Sequence, residues 1–180
     1  MSKKVLVIST SLRKNSNSEA LAKSFADGAR SAGNEAEIIS LAGKNIAFCR
    51  GCSACQKLGH CVIKDDAIDI AEKMRTADVL AFATPIYYYE MSGQMKTLLD
   101  RVNSLYSSDY KFRDIYMLSS AAEDESDVDE RAYSGLEGWV VCFEKSRLAG
   151  KVFAGGVNDP GEIYGHKSLK AAYDMGAKIK

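Results

Sequence analysis

Short runs of apolar, often β-branched residues recur along the chain, with amphipathic stretches between them. The runs are Val5–Ile8, Ala36–Leu41, Val79–Ala83, Ile115–Leu118 and Val152–Ala154. Each run is nearly continuous in hydrophobicity and is bounded by turn residues, which is typical of strands buried on both faces of a parallel sheet. The pattern therefore predicts five strands.

The stretches between the runs carry apolar residues at helical spacings of three and four. Their apolar positions are Leu21, Phe25 and Ala29; Ile70, Ala71 and Met74; Met95, Leu98, Leu99 and Val102; Ala132, Leu136, Trp139, Val140 and Phe143; and Leu169, Ala172, Tyr173 and Gly176. Helix start signals agree with this placement, and they are the capping box Ser16-x-x-Glu19, the pair Asp65-Asp66, and Ser92. Alternating strands and helices require right-handed crossovers and a sheet covered on both sides. We therefore predict a doubly wound, three-layer α/β/α fold, with residues 1–180 forming one domain.

Composition and charge exclude several classes of function. The 24 Lys and Arg residues equal the 24 Asp and Glu residues among 180, so no excess of positive charge favours nucleic acid or an anionic membrane. No apolar run reaches the roughly 18 residues that span a bilayer. The residues before the first strand do not form a secretory signal. We expect a cytoplasmic protein with neither a nucleic-acid nor a membrane partner.

A polar loop follows the first strand, in a position where open parallel sheets bind ligands. It reads Ser9-Thr10-Ser11-Leu12-Arg13-Lys14-Asn15-Ser16-Asn17-Ser18 and ends at a helix start. Hydroxyls, backbone N–H groups, a helix dipole and a guanidinium are the groups that bind phosphate. The loop matches neither Gly-x-Gly-x-x-Gly nor Walker A, which argues against a classical dinucleotide fold and against an NTPase. It predicts a phosphate site, and the alternative is a well-capped polar loop.

The segment after the third strand carries three consecutive tyrosines, Tyr87 to Tyr89, between a buried strand and a helix start. All three cannot point inward, so some aromatic surface should lie at the same sheet edge as the polar loop. Pro85 holds the chain extended, which would let backbone groups address the edge of a flat heterocycle. The alternative for each tyrosine is a subunit interface. A phosphate site beside an aromatic edge indicates a mononucleotide.

Four of the five cysteines, Cys49, Cys52, Cys55 and Cys61, lie within one loop, while Cys142 stands alone on the fourth helix as an expected buried apolar residue. In a cytosolic chain such crowding indicates metal or redox chemistry before a disulfide framework. We interpret the acidic stretch 123–130 as a solvated loop, with a lid over a ligand as the alternative. His60 and His166 are expected to be ordinary surface residues.

Three motifs together resemble the flavodoxin-like NAD(P)H-dependent FMN reductases. They are Val-Ile-Ser-x-Ser-x-Arg-x-x-Ser-Asn-Ser at 7–18, Cys-x-x-Cys-x-x-Cys-x5-Cys-x3-Asp-Asp at 49–66, and Thr-Pro-Ile-Tyr…Met-Ser-Gly-Gln-Met-Lys…Asp-Arg at 84–101. Within that superfamily they are especially similar to the branch that includes iron–sulfur flavoproteins. One departure is that Thr10-Ser11-Leu12-Arg13 stands where the family often has Gly-Ser-Pro-Arg. The resemblance implies a five-stranded sheet of order 2-1-3-4-5, bound FMN, and homodimers or homotetramers.

The resemblance also implies roles for particular residues. Those that would hold the FMN phosphate are Ser11, Arg13, Ser16, Asn17 and Ser18. Those that would border the ribityl chain and isoalloxazine are Thr84, Pro85, Ile86, Tyr87 and Tyr88. Those that would address the pyrimidine side are Ser119, Ser120 and Ala121. No catalytic acid–base residue is implied, because the flavin itself accepts the hydride from NAD(P)H.

The expected activity is therefore an NAD(P)H-dependent oxidoreductase that passes electrons from FMN to a small acceptor such as flavin or quinone. The alternative is an electron carrier of flavodoxin or iron–sulfur flavoprotein type that shuttles between protein partners. Iron–sulfur flavoproteins use the spacing of Cys49, Cys52, Cys55 and Cys61 for a [4Fe–4S] cluster. Zinc, bare thiols and a labile disulfide remain alternatives for these residues.

Overall fold

The computed structural model describes residues 2–180. The strands are β1 (Lys4–Ser9), β2 (Glu35–Ser40), β3 (Val79–Tyr87), β4 (Glu90–Met91), β5 (Asp114–Ser120) and β6 (Arg147–Ala154). The helices are α1 (Asn17–Ser31), α2 (Ala54–Leu58), α3 (Ala67–Thr76), α4 (Gly93–Arg101), α5 (Glu130–Val140) and α6 (Lys167–Gly176). A short 3₁₀ turn spans Asn103–Leu105.

Five strands pair in parallel in the order β2-β1-β3-β5-β6. This is the predicted flavodoxin-like order 2-1-3-4-5, and it is confirmed. The addition is β4, which pairs antiparallel with the far end of β3 and turns the segment after the predicted third strand into a hairpin. A strand of two residues is too short to give a hydrophobic period, so the sequence pattern did not indicate it.

The sheet is buried on both faces, as continuous apolar strands require. Along β1, Val5 and Val7 contact the layer of α1 and α6, whereas Leu6 and Ile8 contact the layer of α3, α4 and α5. This alternation follows from the two-residue period of side chains along a strand. The C-terminal ends of the central strands are left open, and they form the edge at which ligands bind in such sheets.

Helices α1 and α6 pack backbone against backbone. A Cβ on Gly28 would lie 2.0 Å from the Tyr173 carbonyl oxygen, and one on Gly176 would lie 2.1 Å from the Phe25 carbonyl oxygen. Any side chain at either glycine would force the helices apart. This close contact fixes the position of α1, and so of its first turn, relative to the loop that leads into α6.

The predicted helix starts are confirmed at α1, α3 and α4. The Ser16 Oγ accepts a hydrogen bond from the Glu19 N–H, and the Ser92 Oγ accepts one from the Met95 N–H. At α3 the carboxylate of Asp65, rather than that of the cap residue, accepts a hydrogen bond from the Ala67 N–H. Among residues 2–180, no helix is both long and apolar enough to cross a membrane.

Of two predictions near α5, the first is wrong and the second is confirmed except at one carboxylate. The helix ends at Val140, so Cys142 lies in the following turn and is exposed rather than a buried apolar residue. The acidic stretch is exposed from Glu123 to Asp127, but Asp129 is fully buried. Charge composition alone does not reveal that one carboxylate of such a run has partners in the interior.

Candidate functional site

A cavity of about 320 Å³ opens at the C-terminal ends of β1, β3, β5 and β6, and we call it the strand-end cavity. It is lined by every predicted cofactor residue except Thr84 and Ser119, namely Ser11, Arg13, Ser16, Asn17, Ser18, Pro85, Ile86, Tyr87, Tyr88, Ser120 and Ala121. Four chain segments that are distant in sequence therefore meet around one space. Its volume lies in the range of small-molecule sites.

One end of the strand-end cavity is the start of α1. Ser18 is fully buried, and its Oγ has no hydrogen-bond partner among residues 2–180. A buried hydroxyl without a partner is costly unless a ligand supplies one. The helix dipole and the free N–H groups of the first turn add partial positive charge at the same place. This end of the cavity is therefore suited to an anionic oxygen group.

Arg13 lies at the rim of the same end, with about half of its side chain exposed. Its Nη1 donates a hydrogen bond to the Asn158 carbonyl oxygen at 3.0 Å, and its Nη2 lies 3.8 Å from a carboxylate oxygen of Asp159. The Ser11 Oγ accepts the Arg13 backbone N–H at 3.3 Å, which leaves the hydroxyl proton of Ser11 free to donate. Arg13 is thus held beside the cavity with donors to spare.

Asn17 also lines the cavity, but its side chain is occupied elsewhere. The amide group bonds to four backbone groups of the loop between β6 and α6. Its backbone N–H, in the first turn of α1, remains for a ligand. The structure thus separates Asn17 from the hydroxyl and guanidinium groups with which the sequence motif grouped it.

Thr84 lies behind the cavity wall. It is fully buried, and its Oγ1 accepts the Ser92 backbone N–H at 3.0 Å and approaches the Ser92 Oγ at 3.3 Å. Ser92 in turn hydrogen-bonds to the Thr10 hydroxyl at 2.9 Å. This chain of hydroxyls joins the loop after β1 to the start of α4, so Thr84 supports the site without facing it.

Ser119 is likewise turned away from the cavity. Its Oγ donates a 2.7 Å hydrogen bond to the carboxylate of Asp129, which also accepts a 2.8 Å hydrogen bond from the Lys151 Nζ. Burial alone would lower the pKa of Lys151, but hydrogen bonds to Asp129 and Glu130 raise it above its ordinary value. Lys151 therefore keeps its charge, and its bond to Asp129 ties the loop before α5 to β6.

The tip of the β3–β4 hairpin forms the aromatic side of the cavity. Tyr88 and Tyr89 have φ angles of 51° and 68°, in the left-handed region that bulky residues rarely adopt. Tyr88 is 97% exposed, and the Arg131 guanidinium lies 5.7 Å from the centre of the Tyr89 ring. The tight turn thus projects aromatic surface outward at the mouth of the cavity instead of into the core.

The sequence interpretation missed the wall formed by the loop between β6 and α6. Val157, Asn158 and Pro160 line the cavity there, and the loop before α5 adds Glu123 and Val128. The available signal was Asn158-Asp159-Pro160-Gly161, a turn pattern that contains one of only two prolines in the chain. Its place after the last strand of the sheet would have directed attention to it.

The four clustered cysteines line a second, smaller cavity of about 50 Å³, which we call the cysteine cavity. All four are free thiols; Cys49 and Cys52 are exposed, and Cys55 and Cys61 are partly buried. The Asn103 Nδ2 donates to the Cys55 Sγ at 3.4 Å. Across residues 2–180, no group of three or more His, Cys, Asp or Glu side chains is arranged to hold a metal ion.

Arg101 is the buried cation that holds the cysteine-bearing segment in place. It forms a bidentate pair with Asp65 at 2.6 and 2.7 Å and donates to the carbonyl oxygens of Ala47 and Ile63. Both side chains of the pair are almost completely buried. Burial alone would raise the pKa of Asp65, but the hydrogen bonds from Arg101 and two backbone N–H groups bring it below its ordinary value.

The sequence is similar to those of known proteins over part of its length. The chain is 38% identical over 102 residues to an iron–sulfur flavoprotein of Methanocaldococcus jannaschii, a match that covers 57% of this chain and 53% of the relative. It is 38% identical over 110 residues to an iron–sulfur flavoprotein of Archaeoglobus fulgidus, covering 61% and 54%. The matched part of the chain thus spans about half the length of these relatives.

Solved structures show the same fold at low sequence identity. An NAD(P)H:quinone oxidoreductase from Methanothermobacter marburgensis superposes with a TM-score of 0.75 and 19% identity, covering 100% of both chains. An azoreductase from Bacillus anthracis gives a TM-score of 0.71 at 14% identity, covering 99% of this chain and 100% of the other. The model of the family described as NADPH-dependent FMN reductase matches residues 3–124, about two thirds of the chain. The chain therefore belongs to the NADPH-dependent FMN reductase family.

Proposed function

We propose that the chain binds FMN in the strand-end cavity and, as an NAD(P)H-dependent oxidoreductase, passes electrons from the nicotinamide to a small acceptor. The observation that carries this proposal is the buried Ser18 hydroxyl at the start of α1, to which residues 2–180 offer no hydrogen-bond partner. A phosphate oxygen there would satisfy the hydroxyl and meet the positive end of the helix dipole. Family membership supports the same assignment.

The proposal assigns the lining residues to three parts of FMN. In this proposal Ser11, Arg13, Ser16 and Ser18, with the backbone N–H of Asn17, bind the phosphate. The hairpin segment from Pro85 to Tyr88 borders the ribityl chain and the ring. Ser120 and Ala121, at the end of β5, address the pyrimidine side of the ring.

When bound, FMN supplies the two-electron chemistry, because its N5 accepts a hydride from the nicotinamide. The protein's part is to bind and orient. Arg13 and the start of α1 fix the phosphate, and the hairpin and the loop before α5 limit where a second flat molecule can approach. We assign no residue to acid–base catalysis.

The experiment is anaerobic addition of NADH or NADPH to the FMN-loaded protein. We expect one or both donors to reduce the bound flavin, so that its visible absorbance band disappears soon after mixing. A quinone or free flavin added next should restore the band. Protein that holds FMN but keeps its band after both donors would contradict the reductase and favour an electron carrier between proteins.

We also propose a homodimer or homotetramer in the cytoplasm. An apolar groove of about 340 Å³ contains Leu12 and Phe48, which are 55% and 80% exposed. Exposed aromatic and aliphatic side chains that line one groove are typical of protein interfaces. The reducing cytoplasm suits four neighbouring thiols. Sedimentation analysis that gives only monomers at micromolar concentration would contradict the oligomer.

A second candidate function, an iron–sulfur flavoprotein, is favoured by the convergence of four cysteines on the cysteine cavity. The names of the relatives agree with it. The thiols as they stand do not have the arrangement of a metal site, so we derive no step through a cluster. Iron and sulfide analysis of anaerobically purified protein distinguishes the possibilities: about four irons per chain for a [4Fe–4S] cluster, one zinc for a zinc site, and neither for bare thiols.

A further inference from the structure

Asn17 connects two parts of the chain that lie about 140 residues apart. Its Nδ2 donates to the carbonyl oxygens of Val157 and Asp159 at 3.2 and 3.0 Å. Its Oδ1 accepts the N–H groups of Gly161 and Ile163 at 3.1 and 3.3 Å. Two donated and two accepted bonds use the full capacity of a side-chain amide. No side-chain group of Asn17 is left for a ligand.

The loop that Asn17 holds is the wall of the strand-end cavity beside Arg13. The carbonyl oxygen of Asn158 accepts the Arg13 Nη1–H, so the guanidinium rests on this loop. Glu162 stabilises the same turn, because its carboxylate accepts the N–H groups of Asn158 and Asp159 at 2.6 and 2.8 Å. Backbone N–H groups that donate to Glu162 also lower its pKa, so it stays ionised in this role.

We propose that Asn17 is a positioning residue: its side chain holds the loop between β6 and α6 against the start of α1, and through the Asn158 carbonyl it sets Arg13 for a phosphate ester. The part concerning phosphate rests on the proposed function. The part concerning the loop depends only on the contacts within the chain. Asn17 therefore acts on the ligand through Arg13, and not as a direct side-chain ligand.

Burial makes this arrangement costly to break. Asn17 is 6% exposed, and its removal would leave the Val157 carbonyl oxygen and the N–H groups of Gly161 and Ile163 without this partner, while the Asp159 carbonyl oxygen keeps its bond from the Glu162 N–H. The loop should then open more often than the rest of the chain, because its remaining contacts at the rim are exposed. An open loop would release the Asn158 carbonyl and, with it, the orientation of Arg13.

The chain offers a matched control in Asn34. It is 9% exposed, its Oδ1 accepts the Lys3 N–H, and its Nδ2 donates to the Ile179 carbonyl oxygen, so it too joins distant segments. It does not line the strand-end cavity. Asn34→Ala thus removes a buried, bridging amide without touching the site.

The first measurement is hydrogen exchange at backbone amides of the full chain before flavin is added. In Asn17→Ala we expect the amides of Gly161 and Ile163 to exchange about tenfold faster or more, relative to wild type. Asn34→Ala should leave them unchanged. If Asn17→Ala does not fold, Asn17→Asp keeps both accepted N–H bonds and should show a smaller acceleration in the same loop. Unchanged exchange in the folded variant would overturn the proposal.

The second measurement is the ratio of FMN to riboflavin affinity in Arg13→Ala, Asn17→Ala and the double variant. We expect Arg13→Ala to reduce the ratio about 10- to 100-fold and Asn17→Ala about 3- to 10-fold. The double variant should match Arg13→Ala within about twofold, because coupled residues are not additive. Losses that multiply would overturn the proposal, since they would make Asn17 an independent ligand.

The two measurements separate this proposal from the proposed function. Wild-type protein with no preference for FMN would overturn the proposed function and the phosphate part of the proposal together. Hydrogen exchange would still decide whether Asn17 holds the loop. The double variant could bind FMN as Arg13→Ala does while Asn17→Ala shows unchanged hydrogen exchange in the loop. In that case the two residues would be coupled by a route other than the loop, and this result would also overturn the proposal.

Discussion

The two cavities of this protein are built in different ways. The strand-end cavity is assembled by the topology, because four loops end at one sheet edge and bind one another through Asn17, Arg13 and Ser92. The cysteine cavity is formed mainly by one loop, with Asp100, Arg101 and Asn103 on its remaining side, and the buried ion pair between Arg101 and Asp65 helps to tie that loop to the body. Loss of Asn17 is expected to open one wall of the strand-end cavity and leave the other three in place, whereas loss of the Arg101–Asp65 pair is expected to loosen the whole cysteine-bearing loop.

The largest expected effect is at the cysteine cavity. Arg101→Ala leaves the Asp65 carboxylate buried without its partner, which should lower the free energy of unfolding by about 3–5 kcal/mol. The matched control is Arg75→Ala, which removes an exposed pair with Glu72 and should lower the free energy of unfolding far less than Arg101→Ala does. Chemical denaturation measures both values.

Alkylation of the thiols tests whether loss of the Arg101–Asp65 pair affects the cysteine cavity alone. In folded Arg101→Ala, Cys55 and Cys61 should react faster with a thiol reagent, while FMN affinity changes little. If Arg101→Ala makes the thiols react faster and also weakens FMN binding by a similar factor, the two cavities are not independent.

The same pair predicts a dependence on pH. Since its partners lower the pKa of Asp65 below the ordinary 3.8, the stabilisation is complete above that pH and is lost as the pH falls through the lower value. The difference in unfolding free energy between wild type and Asp65→Asn should therefore be constant from neutral pH down to about 4 and should shrink below it. A difference that grows in acid would refute this assignment.

At the strand-end cavity the largest expected loss comes from Arg13→Ala. Charge-assisted hydrogen bonds contribute about 1.5–3 kcal/mol, so FMN should bind about 10- to 100-fold more weakly. Riboflavin, which lacks the phosphate, should bind as before. Lys14→Ala, the neighbouring cation outside the cavity lining, is the control and should change neither affinity. Fluorescence titration with both flavins gives the comparison.

Ser18→Ala should have opposite effects on affinity and stability. Removing a hydroxyl that is buried without a partner should leave the flavin-free protein as stable or up to about 1–3 kcal/mol more stable, while FMN binds about 3- to 10-fold more weakly.

Ser9→Ala is the matched control for Ser18→Ala, because the Ser9 Oγ is also buried without a partner and lies outside the cavity lining. It should raise stability in the same way and leave FMN affinity unchanged. A loss of FMN affinity in both variants would show that the effect is not local to Ser18.

The order of the strands and the cofactor residues were expectations from the resemblance to a known family, whereas the strands themselves and the edge at which their loops meet were predicted from local sequence patterns. Continuous apolar runs specify buried strands, and loops at their C-terminal ends must meet at one edge. The roles of Thr84, Ser119 and Asn17 were not predictable in this way. Each lies in the predicted segment, but its side chain bonds to a group in another element, 8 residues away for Thr84, 10 for Ser119 and 144 for Asn17. The direction in which such a side chain points depends on packing.

The buried charges were missed for a related reason. Asp129 stands within an acidic run and Arg101 at the end of an amphipathic helix, where a solvated side chain is the ordinary expectation. Lys151 and Asp65, their partners, lie 22 and 36 residues away. A single sequence carries no signal for such a pair.

The most direct test of the account is titration of flavin-free wild-type protein with FMN and with riboflavin. The cavity at the start of α1, with the unpartnered Ser18 hydroxyl and Arg13, predicts that FMN binds at least about tenfold more tightly than riboflavin. Equal affinities, or no binding of either flavin, would contradict the assignment of this cavity as an FMN site.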